Sequence, residues 1–119
     1  MTNYKDFFIG LILFLVAQSL AWYQTNGQFI NNWMKDNPII VSGLFGIPVG
    51  LGYIYGTSYT VSAFNGTLWS ARLIGFATGV STFALLTYLY MNEGINIKTG
   101  VILLLAVTIV LLQVFWKVN

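Results

Sequence analysis

The chain has no cysteine and no histidine, and only 7% of its 119 residues are charged, five of them basic and three acidic. Without cysteine and histidine, disulfide frameworks, thiol nucleophiles, imidazole acid–base catalysis and most transition-metal sites are excluded. A soluble domain carries roughly 25% charged residues, so the composition also excludes a soluble domain, a disordered tail and a nucleic-acid-binding protein. The net charge of +2 is too small to indicate an electrostatic partner.

Apolar residues are abundant instead, at 57% of the chain, and 17% of all residues are aromatic. A helix needs ~20 mainly apolar residues to cross a bilayer, and four stretches meet that need. They are residues 7–23, 38–56, 67–91 and 99–116. An open sheet would leave backbone groups unpaired in lipid. The sequence therefore predicts an all-α, multi-pass integral membrane protein with a four-transmembrane-helix bundle.

The connections between the spans are short and polar. Residues 24–37 end at Pro38, which suits a helix start, and the segment 29–34 is predicted to lie along the membrane interface. Residues 57–66 are predicted to form a loop, and residues 92–98 a tight helix–helix connection. No connection is long enough to fold separately, so residues 1–119 are predicted to form one domain. No small-residue cleavage site follows the first apolar run, so we expect it to be an uncleaved first span.

The distribution of basic residues leaves the orientation open. With four spans, Lys5, Arg72 and Lys117 lie on the side of the termini, and Lys35 and Lys98 on the other side. Such a small difference does not fix a topology. Either the chain is simply poor in charge, or it inserts both ways round and pairs head to tail. A bacterial-type inner or plasma membrane is the expected location.

Glycines with small-residue spacing occur in two spans. The second span has two such pairs, Gly46 and Gly50 on either side of Pro48 and then Gly52 and Gly56, and the third span has Gly75 and Gly79. Small residues let membrane helices pack closely, and proline removes a backbone hydrogen bond. The second span is therefore either a tightly packed helix or a hinge, and the third carries a close-packing stripe.

A few polar residues inside the spans are candidates for a ligand path. Arg72 is the one ionisable candidate within a span, and it either extends to the interface or anchors an anionic group. The amide of Gln18 needs partners from another helix. Tyr53, Trp69 and Ser70 complete the predicted binding set, against the alternative that they belong to the aromatic belt or bond to their own helix. No acidic residue lies deep in a span, which disfavours a proton antiporter.

Three short stretches resemble the small multidrug resistance proteins, a branch of the drug/metabolite transporter superfamily. They are Pro38 after the polar connection, the tripeptide Leu68-Trp69-Ser70, and the hairpin from Asn92 to Gly100. The resemblance covers nearly the whole chain. It implies a small transporter that works as a pair, either a homodimer, with the antiparallel arrangement as one option, or this chain with a related membrane subunit. Its ligand would lie close to Trp69.

The chain departs from that family at functional positions. Leu20 stands where the resemblance places the essential glutamate of the first helix, and Gly46 and Gly66 stand where it places two tyrosines. Val107 follows Gly100 at the spacing of a second packing glycine. The resemblance therefore does not extend to proton-coupled export of cationic drugs. Other branches with this fold lack the glutamate and move lipid-linked sugars.

Two hypotheses for the function follow. The first is a transporter or flippase subunit that moves a small amphiphile or lipid-linked molecule by alternating access, with Arg72 meeting an anionic headgroup. The second is a non-transporting accessory subunit of a larger membrane complex. An enzyme is not expected, because the chain has no paired carboxylates, Ser–His arrangement or metal cluster, and no cofactor or metal is expected.

Overall fold

The computed structural model describes residues 3–116, which contain five α-helices and one 3-10 turn and no strand. The helices are α1 (Tyr4–Asn26), α2 (Asn32–Asp36), α3 (Pro38–Ala63), α4 (Leu68–Met91) and α5 (Ile97–Phe115), and the turn is Gly27–Phe29. All but α2 are long and apolar enough to cross a bilayer. This confirms the predicted all-α bundle of four transmembrane helices and identifies a multi-pass integral membrane protein.

Local sequence explains where these helices begin and end. The side chains of Asn3 and Asn96 cap α1 and α5 by accepting hydrogen bonds from the backbone N–H groups of Asp6 and Thr99, at 3.2 and 2.8 Å. Such caps satisfy N–H groups that have no partner within the helix. Pro38 occupies the first turn of α3, and Asn92 ends α4 in the left-handed conformation with φ +57°.

The helix α3 is longer than the sequence indicates. It continues through residues 57–63, so the prediction of a loop over 57–66 is wrong for that part. The reason is packing against α1, which overrides the weak helix propensity of threonine and serine. Thr60 and Ala63 are fully buried, the hydroxyl of Thr60 faces Gly10, and the carbonyl of Ala63 accepts a 2.9 Å hydrogen bond from the N–H of Asn3.

Three of the long helices form a packed unit, and the fourth lies outside it. In the part of the chain that the structure describes, α1 lies alongside both α3 and α4, whereas α5 lies alongside α4 alone. Of the α5 residues, only Ala106 and Val114 are buried, and Val114 joins the hydrophobic core that Phe7, Phe14 and Ile74 help to form.

Close approach of α1 and α3 depends on glycines in the second half of α3. A Cβ on Gly52 would lie 2.7 Å from the Cβ of Ala17, and one on Gly56 would lie 3.0 Å from the Phe14 ring. The first distance is shorter than side chains tolerate and the second is tighter than most side-chain contacts, so the absence of a side chain lets the two helices meet here.

The other glycine pair of α3, Gly46 and Gly50, has a different environment. A Cβ on Gly50 would meet nothing within 4 Å, and on Gly46 only the Gln24 amide nitrogen at 3.8 Å. Of the two pairs, Gly52 and Gly56 are therefore the ones that pack against α1, and a hinge at Gly46 and Gly50 stays a prediction. Pro48 is exposed, and α3 is assigned as one helix from end to end.

The two ends of the bundle differ in composition. The terminal end brings together the start of α1, the end of α3 and the start of α4, and Asp6 there accepts hydrogen bonds from Ser62 and Asn3. The loop end holds residues 27–37 and 92–96. The predicted interfacial segment lies there, with Phe29 64% and Trp33 51% exposed. Lys117, which was counted on the terminal side, lies outside the described residues.

Candidate functional site

A cleft with a volume of about 840 Å³ opens between α1, α3 and α4, and we call it the central cleft. Its walls are mostly apolar, with a few polar side chains among them. The lining residues are Phe14, Gln18, Tyr53, Thr57, Leu68, Ala71, Arg72, Gly75, Phe76, Gly79, Val80 and Phe83.

Helical periodicity accounts for this set of residues. The cleft residues of α1, Phe14 and Gln18, are four residues apart, as are Tyr53 and Thr57 of α3. Those of α4 recur at spacings of three and four from Leu68 to Phe83. Residues with these spacings share one face of a helix. Each helix therefore presents a single face to the cleft.

Gln18 joins the three helices near their middle. Its Nε2 donates to the carbonyl oxygen of Gly75 at 3.1 Å, and its Oε1 accepts from the hydroxyl of Tyr53 at 2.9 Å. The hydroxyl of Thr78 also donates to the Gly75 carbonyl, at 3.0 Å. The half-buried Gln18 amide thus has partners on both α3 and α4, as a polar group within a membrane span requires.

The stripe of small residues on α4 makes room for this amide. A Cβ on Gly79 would lie 3.0 to 3.1 Å from the side-chain amide atoms of Gln18. A Cβ on Gly75 would lie 3.8 Å from the Phe14 ring, which is ordinary contact. Gly79 is therefore needed for close packing, while Gly75 borders the open space of the cleft.

Arg72 lies at the terminal end of the central cleft, four residues from the start of α4. Its side chain is exposed, and it makes no ion pair or hydrogen bond with any residue in 3–116. The nearby end of the bundle holds Asp6, whose carboxylate accepts hydrogen bonds from Ser62 and Asn3 instead. The guanidinium is free to meet an anion from outside the chain.

Two of the predicted binding residues lie away from the central cleft. Trp69 is 75% exposed and does not line it. Ser70 is fully buried, and its hydroxyl donates to the carbonyl of Thr67 at 2.6 Å. In the single chain, neither residue lines the same cavity as Gln18 and Tyr53, and their role in binding stays a prediction.

Two smaller cavities lie nearer the loop end than the central cleft. The side cavity, of about 180 Å³, is lined by Gln18, Ala21, Trp22, Thr25, Asn26, Gly79 and Phe83. The loop cavity, of about 370 Å³, is lined by Gln24, Thr25, Gln28, Met34, Lys35, Pro38, Val41 and Ser42. Apart from Gln18, sequence reasoning missed these residues as lining residues, although the spacing of Gln18, Ala21 and Thr25 along α1 was a signal.

An aromatic cluster joins α1 and α4 near the loop end. The indole N–H of Trp22 donates to the hydroxyl of Thr87 at 3.1 Å, and the hydroxyl of Tyr23 donates to that of Tyr90 at 2.7 Å. The Trp22 and Tyr90 rings lie 5.5 Å apart. These contacts hold the two helices together beyond the side cavity.

The polar side chains that line the central cleft carry one amide, two hydroxyls and one guanidinium, which can bind a ligand through hydrogen bonds. No group of three or more His, Cys, Asp or Glu side chains that could hold a metal occurs within residues 3–116. No protein-family model, curated protein or solved structure matches this chain. The site must therefore be interpreted from its own residues.

Proposed function

We propose that this protein is a subunit of a membrane transporter or flippase, which moves a small amphiphile or lipid-linked molecule by alternating access. The observation that carries the proposal is the central cleft, an apolar cavity of about 840 Å³ with a few polar side chains. Small-molecule sites typically have about 300–1,000 Å³ and this mixture of wall residues. The cleft lies among the membrane-spanning helices, and a translocated molecule needs a binding cavity at that depth.

In this mechanism, Gln18 marks the boundary between the two sides. Its hydrogen bonds to Tyr53 and Gly75 close the bundle near mid-depth. They must rearrange when the cleft opens toward the loop end. Bending of α3 at Gly46, Pro48 and Gly50 would supply that movement, because these residues contact little of the chain.

We further propose that the working unit is a homodimer in a bacterial-type inner or plasma membrane, as the resemblance to small multidrug resistance proteins implies. The exposed Trp69 supports this proposal. In a dimer, a second copy would cover Trp69, and Trp69 would then border a cavity shared by the two subunits. The parallel and antiparallel arrangements both remain compatible with the near-equal charge of the two sides.

Transfer in reconstituted vesicles tests the proposal. The vesicles carry one of three radiolabelled probes in both leaflets: dodecyl phosphate, dodecyltrimethylammonium or dodecyl maltoside. Albumin added outside extracts the probe from the outer leaflet, so the rate at which the remaining probe becomes extractable measures transfer. We expect the purified protein to accelerate transfer of at least one probe over protein-free vesicles. No acceleration of any probe would contradict transport.

A matched pair of glycine variants ties the transfer to the cleft. Gly75→Leu places a side chain into the central cleft, whereas Gly43→Leu extends into open space, since a Cβ there meets nothing within 4 Å. We expect Gly75→Leu to reduce transfer to the protein-free rate and Gly43→Leu to leave it unchanged. Circular dichroism and size-exclusion chromatography would verify that both variants fold.

An accessory subunit is the second candidate, and the exposure of α5 favours it. Leu104 and Leu105 are 66% and 58% exposed, and α5 lies alongside α4 alone within the described chain. Such a face suits a larger partner in the membrane. Purification from native membranes in mild detergent discriminates the two: a stoichiometric partner of different sequence, with no transfer by the isolated chain, would favour the accessory role.

A further inference from the structure

Three cavities share wall residues along α1. The central cleft and the side cavity share Gln18, Gly79 and Phe83, and the side cavity and the loop cavity share Thr25. On α1, the lining residues Phe14, Gln18, Ala21 and Thr25 recur at spacings of three and four, so they share one face of the helix, and Gln28 follows in the turn after α1. We call the three cavities together the α1 groove. It extends from the terminal end to the loop end of the bundle.

The charges along the α1 groove have one sign. Arg72 lines it at the terminal end and Lys35 at the loop end, and no acidic residue lines any of the three cavities. The acidic residues in 3–116 are Asp6, Asp36 and Glu93. Between the two cations the polar groups are neutral amides and hydroxyls, including Gln18, Tyr53 and Thr25. A cationic headgroup would meet like charge at both ends, whereas an anionic headgroup would meet opposite charge at both.

The walls of the groove suit an apolar chain. Phe76 and Phe83 both line the central cleft, yet each is 53% exposed, so the cleft is open toward the surrounding lipid on this side. A headgroup in the groove would therefore leave its tail in the bilayer. The volume of about 840 Å³ is that of a site for one drug-sized molecule, which favours one chain over two.

We infer that the transported molecule is a single-chain amphiphile with an anionic, phosphate-type headgroup, which Arg72 and Lys35 bind at the two ends of the α1 groove and which passes Gln18 between them. This inference rests on the proposed transport function and names its substrate class. Arginine suits the headgroup because its forked donors bind phosphate oxygens in pairs. Lysine suits it as a compact charge at the other end.

The three dodecyl probes separate this inference from the proposed function. We expect dodecyl phosphate to be transferred at least about tenfold faster than dodecyltrimethylammonium, each relative to protein-free vesicles. Transfer of the cationic or neutral probe without the phosphate would overturn the inference and leave transport standing. Failure of all three would overturn transport itself.

Charge-removing variants test the two ends of the groove. We expect Arg72→Gln and Lys35→Gln each to slow transfer of dodecyl phosphate about tenfold, because each loses a charged hydrogen bond to the headgroup. Arg72→Lys keeps the charge and should retain part of the rate. Thermal stability of Arg72→Gln should not change, since Arg72 has no partner in 3–116.

Matched controls remove a charge at each end of the bundle but outside the groove. Lys5 lies at the terminal end and Lys98 at the loop end, and neither lines any of the three cavities. We expect Lys5→Gln and Lys98→Gln to transfer dodecyl phosphate at the original rate. If they slow it as much as Arg72→Gln and Lys35→Gln do, the cations act only by attracting anions to the membrane surface, and the inference is wrong. A competition experiment adds either inorganic phosphate or unlabelled dodecyl phosphate to the vesicles. If inorganic phosphate slows transfer of the labelled dodecyl phosphate and unlabelled dodecyl phosphate does not, the ligand is not an amphiphile.

Discussion

Gln18 shows how much one polar side chain contributes to a bundle with so few polar groups. Its amide contacts α3 through Tyr53 and α4 through the Gly75 carbonyl, while Gly79 leaves the space that it occupies. Leucine at this position would fill the space without bonding, and both partners would lose a hydrogen bond. The polar contact therefore fixes how the three helices meet, which apolar packing alone specifies less sharply.

Removing one hydroxyl tests this contact. We expect Tyr53→Phe to lower the free energy of unfolding by about 0.6 kcal/mol, the average for side-chain hydrogen bonds between membrane helices, measured by circular dichroism in mixed detergent micelles with increasing denaturing detergent. Tyr55→Phe is the matched control, because Tyr55 is 54% exposed and lies outside the cleft. An equal effect of both variants would mean that the Gln18–Tyr53 bond contributes nothing specific.

At the scale of elements, the contact between α1 and α3 depends on which face of α3 carries each glycine. Gly52 and Gly56 lie toward α1 and allow close approach, whereas Gly50 faces open space. These residues look alike in the sequence, since each belongs to a small-residue pair of the same spacing. Only the position of α1 distinguishes them.

Two alanine substitutions on α3 separate these positions. Gly52→Ala puts a Cβ 2.7 Å from that of Ala17, so α1 and α3 must move apart, and we expect a loss of about 1–3 kcal/mol, as for overpacked cores. Gly50→Ala meets no neighbour and should cost nothing. The same detergent unfolding measurement compares them. Equal losses would show that α3 packs with its other face.

At the scale of the whole molecule, four crossings place the two loop-end connections together. The natural absence of cysteine permits single-cysteine labelling with a membrane-impermeant maleimide. We expect Asn32→Cys and Gly94→Cys to label from one side of sealed vesicles and Lys5→Cys from the other. All three residues are exposed, and Asn32 and Gly94 lie at the loop end whereas Lys5 lies at the terminal end. Labelling of about half of every variant would indicate insertion in both orientations. Labelling of Asn32→Cys and Gly94→Cys from different sides would refute four crossings.

Much of the fold is predictable from composition, because lipid as a solvent leaves helices as the main option for long apolar runs. Gln18, Tyr53 and Arg72, which line the central cleft, could be singled out in the sequence because polar groups are rare within the spans. The sequence could not show that Trp69 and Ser70 lie outside the central cleft. Which face of α4 borders the cleft depends on where α1 lies. The extension of α3 through residues 57–63 was missed for a related reason: burial against α1, and not local propensity, keeps Thr60 in a helix.

The position of α5 has a consequence for biosynthesis. Every residue that lines the central cleft precedes residue 84, and α5 lies alongside α4 alone. As the ribosome delivers the chain, every wall of the cleft is therefore synthesised before α5. The trio of α1, α3 and α4 supplies all the lining residues by itself, and most of the surface of α5 is left uncovered by the described chain.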